Sequence, residues 1–80
     1  RSDTAKKVSF FWRKVDKAEK YELQVSEYNN FSNIRYEKIL GDEQTHKTFL
    51  PRGRYFWRLR MLANGEVSDW SQAYSFSVGQ

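Results

Sequence analysis

The sequence predicts an all-β domain, two antiparallel sheets packed face to face over one core, and three observations carry that expectation. Apolar and polar residues alternate with a period of two in several short stretches. Turn-forming dipeptides separate those stretches, and no segment keeps helical spacing over three turns. Strands with one apolar face each must bury those faces against one another, which a sandwich does.

The elements follow in chain order. Val8, Phe10 and Trp12 alternate with Ser9, Phe11 and Arg13, which places one face inward and Phe11 outward. After the polar break at Asp16 and Lys17, Tyr21, Leu23 and Val25 alternate with Glu22, Gln24 and Ser26. Asn29-Asn30 marks a turn, and Ile34 to Leu40 forms a less regular strand closed by Gly41-Asp42. Thr45 to Leu50 is rich in β-branched and aromatic residues and stops at Pro51, which has no amide to donate to a ladder. Tyr55, Trp57, Leu59 and Met61 share one face of the next strand, with Phe56, Arg58, Arg60 and Leu62 on the other. Asn64-Gly65 suits a two-residue hairpin turn, because both positions tolerate positive φ. Tyr74, Phe76 and Val78 alternate in the last strand.

Size and composition bound the function. Eighty residues make one domain, and a chain of that length buries only about 60% of the surface exposed when unfolded. The aromatic content, 18% of residues, compensates by supplying rings that each remove on the order of 150–250 Å² from water. There is no cysteine, hence neither a disulfide framework nor a thiolate zinc site. The longest apolar runs fall far short of the ~20 residues a membrane helix needs, so this segment is not expected to insert in a membrane. The net charge of +4 comes from fourteen basic and ten acidic residues that are interspersed, a mixed surface and not a basic tail. The chain opens on Arg1 without a methionine and carries no signal peptide, and is read as one domain, residues 1–80, excised from a longer protein.

Several of these residues resemble the fibronectin type III family. They are Trp12 on the second strand, Tyr21-x-Leu23-x-Val25 on the third, the stretch Leu50-Pro51-Arg52-Gly53-Arg54-Tyr55-Phe56-Trp57-Arg58-Leu59-Arg60, and the closing Phe76-x-Val78. The likeness covers residues 7 to 79 and is nearest to modules of bacterial surface and envelope proteins. It implies an immunoglobulin-like sandwich of six to seven strands, with Trp12 and Trp57 in the core. It also implies that Tyr55 is the tyrosine-corner residue, its hydroxyl bonded to backbone near Leu50 or Arg52. The family has a longer run ahead of the tryptophan, so the first strand is expected to be short, about Ser2 to Lys6, or missing. A missing first strand would open a sheet edge to strand exchange; otherwise a monomer is expected. Val67-Ser68-Asp69-Trp70-Ser71 resembles the second half of the W-S-x-W-S box of cytokine-receptor domains. That likeness implies Trp70 stacked on Arg58 or Arg60, with Glu22 and Gln24 as cross-strand partners of the arginines.

Catalytic and metal chemistry find little footing. The sole histidine, His46, reads as a surface strand residue and lacks the nucleophile a triad requires. Asp42, Glu43 and His46 make a poor set for zinc or calcium, and Glu19, Glu22 and Glu27 fall on unlike faces or loops. Arg52-Gly53-Arg54 reads as a turn, and Asn30-Phe31-Ser32, formally a glycosylation sequon, as a turn whose Phe31 plugs the core. No cofactor is implied. The expectation is a non-catalytic, extracytoplasmic module that spaces domains or binds a protein or glycan, with Phe11, Phe56, Arg58, Arg60 and Trp70 as its candidate interaction residues. The alternative is binding to nucleic acid or another anionic polymer through Lys6, Lys7, Arg13, Lys14, Lys17 and Lys20.

Overall fold

The computed structural model describes residues 5–41 and 43–79. It is all-β, with strands β1 (Lys6–Phe11), β2 (Lys20–Ser26), β3 (Ile34–Leu40), β4 (Thr45–Leu50), β5 (Gly53–Ala63), β6 (Glu66–Val67) and β7 (Tyr74–Val78). β1 pairs with β4, and a second sheet runs β3-β2-β5-β6 with β7 also on β5. All pairings are antiparallel. The segment Ser2 to Lys6 expected as a first strand lies mostly outside the described residues, and Lys6 itself opens β1.

Alternation fixes which side chains meet between the sheets. Phe10 from β1 and Leu50 from β4 face Leu23 and Val25 of β2, Leu40 of β3, Tyr55 of β5 and Val78 of β7, all at most 5% exposed. At Asn64-Gly65, φ values of 54° and 76° put both residues in the left-handed region, as a tight turn between Ala63 and Glu66 requires. The Tyr55 hydroxyl donates to the Pro51 carbonyl at 2.7 Å, tying the start of β5 to the turn before it. Burial pushes the pKa of that phenol upward.

Three expectations are corrected. Trp12 lies one residue beyond β1, attached to the ladder by its amide, which donates to the Gln44 carbonyl at 3.1 Å. Trp12 and Trp57 do not form the sealed core; both are half-buried and pack against its side. The cause is coverage, because among the described residues two strands of six residues lie over a sheet built on the 11-residue β5. Phe31 is buried but does not plug the core. Its φ of 56° and the β-bulge between Val25 and Ser26 turn the β2–β3 connection over the other side of the large sheet, where the ring lies under Arg58.

Candidate interaction surfaces

The outer face of the five-stranded sheet is organised by register. Arg58 stands opposite Gln24 and Arg60 opposite Glu22. Gln24 Oε1 accepts from Arg58 Nε and Nη2 at 2.9 and 2.8 Å, and Arg60 Nε donates to Glu22 Oε1 at 2.7 Å. Gln24 Nε2 in turn donates to Glu37 Oε2 on β3 at 2.7 Å, which holds the Glu37 carboxyl below its ordinary pKa. The Trp70 ring stacks on both arginines, with guanidinium carbons 4.2 Å (Arg58) and 4.3 Å (Arg60) from its centroid. Phe31 covers Arg58 from the other side at 4.1 Å. Desolvation, then the neighbouring Arg60 charge, lowers the Arg58 pKa, as expected for a cation between two rings.

Two serines hold Trp70 there. The Ser68 and Ser71 amides donate to the Met61 and Leu59 carbonyls at 3.0 and 2.8 Å. The serine hydroxyls also accept from the Met61 and Leu59 amides at 2.9 and 3.0 Å. Ser-Asp-Trp-Ser thus continues the β6 edge along β5 through side chains as well as backbone. The i, i+3 spacing of Ser68 and Ser71 around Trp70, within the segment that resembles half of a W-S-x-W-S box, is the sequence signal for this arrangement.

The outer face of the small sheet differs in kind. Its strand register brings Lys7, Ser9 and Phe11 beside Phe49, Lys47 and Thr45, with Phe11 70% and Phe49 65% exposed. Phe49 was missed from sequence, although its place next to the inward Leu50 dictates that it points out. Phe56, expected to be as exposed, is half-covered, between Ser26 and Ser75 on the opposite sheet. The basic residues do not converge. Lys6 pairs with Leu50 at the end of β4, just before the turn into β5, whereas Lys20 pairs with Leu62 at the far end of β5, so Lys6 and Lys7 stand apart from Arg13, Lys14, Lys17 and Lys20.

Along the side left open by the small sheet runs a cleft of about 330 Å³, walled by Phe11, Trp12, Trp57 and Tyr74 with Arg13, Leu59 and Ser71. Trp57 and Tyr74 are direct cross-strand partners with ring centroids 5.2 Å apart. Trp12 packs its ring 5.6 Å from that of Tyr21, whose hydroxyl accepts the Val15 amide at 3.0 Å. The Trp12 indole N–H is shielded from solvent and has no acceptor among the described residues. His46, expected on the surface, instead stacks half-buried on Tyr36 and hydrogen-bonds its hydroxyl at 2.6 Å, linking β4 to β3.

Among the described residues no group of three or more His, Cys, Asp or Glu side chains is arranged to hold a metal ion, and no helix is long and apolar enough to cross a membrane. Comparison of the chain with protein-family models, curated proteins and solved structures gives no match.

Proposed function

We propose that this chain is a non-catalytic module of the fibronectin type III kind, set in a multidomain extracytoplasmic protein, where it spaces domains and binds a protein or glycan partner. The pairing of β1 with β4 and of β3-β2-β5-β7, together with the Tyr55–Pro51 corner, supports the family assignment. The elongated shape, 45 × 23 × 16 Å, suits a spacer. The observation that carries binding is the exposure of Phe11, at 70%. An aromatic ring left facing water gains no burial on folding, and Phe11 and Phe49, separated on that face by Ser9 and Lys47, are two distinct apolar points of the sort partners cover. The arginine face is a weaker candidate, since Glu22, Gln24, Phe31 and Trp70 already occupy its guanidinium groups.

The anionic-polymer alternative has a basic surface divided between two ends of the molecule, too few phosphate contacts in one place for strong binding. Retention of the purified domain on immobilised glycans and on DNA resin separates the readings. The proposal expects glycan retention that Phe11→Ser abolishes. Retention on DNA alone, falling steeply with salt, would replace it with the alternative.

A further inference from the structure

We infer that the cleft between Phe11, Trp12, Trp57 and Tyr74 is a binding site for an acidic sugar residue, a uronic acid within an oligosaccharide. This rests on the reading of the domain as a binding module and names the ligand class.

Four aromatic side chains and Leu59 line a space of about 330 Å³, at the lower end of ligand pockets of ~300–1,000 Å³ and roomy enough for about one or two sugar rings. Aromatic faces complement the C–H faces of a pyranose, which are flat and apolar while its edges are polar. A half-buried tryptophan wall would be expected to close over the core unless something else occupies it, and Tyr74 at the rim is 43% exposed.

The free polar groups identify the ligand's charge. The Ser71 hydroxyl is already engaged with Leu59 and Gln72. What remains, besides the Tyr74 hydroxyl that both donates and accepts, are donors. Arg13 has no ion-pair or hydrogen-bond partner among the described residues, and the Trp12 N–H has no acceptor. No carboxylate lines the cleft. An unpaired guanidinium at an aromatic wall without carboxylates calls for a ligand with flat C–H faces and one negative charge, which a uronic acid supplies through its ring and its carboxylate. Because the Trp12 ring walls the cleft, a sugar stacked there changes the surroundings of that indole. A proline-rich peptide also docks on aromatic grooves, but the grooves' customary acidic partners for its basic residues are absent from this one.

The test is titration of the ¹⁵N-labelled domain with tetragalacturonic acid, with maltotetraose and a proline-rich decapeptide as comparators. The three tryptophans give three indole N–H signals, and Trp70, on the opposite face of the large sheet, serves as internal control. The proposal expects the Trp12 and Trp57 signals to move with tetragalacturonic acid while Trp70 stays. Arg13→Gln should weaken binding about tenfold and erase the preference over maltotetraose, and Tyr74→Ala should weaken it in a domain that still unfolds cooperatively, with a somewhat lower melting temperature for the lost Trp57 contact. Because a single charge contact is involved, affinity should fall only modestly as salt rises. Unmoved Trp12 and Trp57 signals overturn the proposal, as does a peptide that moves them when the sugar does not. Sugar binding that shifts Phe49 and Lys47 amides but neither indole removes the cleft while leaving the binding-module reading intact. Silence toward all three probes removes the cleft without bearing on spacing.

Discussion

The guanidinium carbon of Arg58 lies 4.2 Å from the centroid of the Trp70 ring, and Arg60 packs on the same ring at 4.3 Å. Two cation–π contacts at about 0.5–1 kcal/mol each for partly exposed pairs predict that Trp70→Ala destabilises the domain by about 1–2 kcal/mol. Urea denaturation measures this directly. An unchanged midpoint would mean that the ring merely rests on the arginines.

Tyr55→Phe removes the donor to the Pro51 carbonyl and leaves a part-buried acceptor unsatisfied. A loss of about 1–3 kcal/mol follows, and for a domain of this size each kcal/mol lowers the melting temperature by about 4–8 °C. A thermal scan that superimposes on wild type would remove the tyrosine corner from the fold's supports.

Glu37 gives a pH dependence with a definite sign. The Gln24 hydrogen bond lowers its folded-state pKa, so below the ordinary glutamate range the unfolded chain takes up this proton first. The stabilisation is full above about pH 4.3 and is lost as pH falls through the lowered folded value. Wild type should therefore exceed Glu37→Gln in stability at neutral pH, with the gap closing in acid. A gap that widens on acidification would contradict the assigned hydrogen bond.

Much of this architecture was legible because it depends on period-two alternation. Glu22, Gln24, Arg58 and Arg60 had to share a face once their strands paired, and the register placed them directly opposite one another. Coverage was not legible. Alternation says that Trp12 and Trp57 point inward, but only the three-dimensional arrangement shows the small sheet stopping short of them and leaving a cleft. Phe31 failed for a related reason, since a bulge and one left-handed residue decided which side of the sheet its ring would cover.

The central claim is that the exposed phenylalanines serve a partner and not the fold, and thermal denaturation of the double variant Phe11→Thr, Phe49→Thr tests it most directly. Threonine keeps the strand propensity of both positions, and the two rings are 70% and 65% exposed. The account predicts a melting temperature equal to or above that of wild type. A cooperative loss of several degrees would show that these rings hold the sandwich together, and would contradict it.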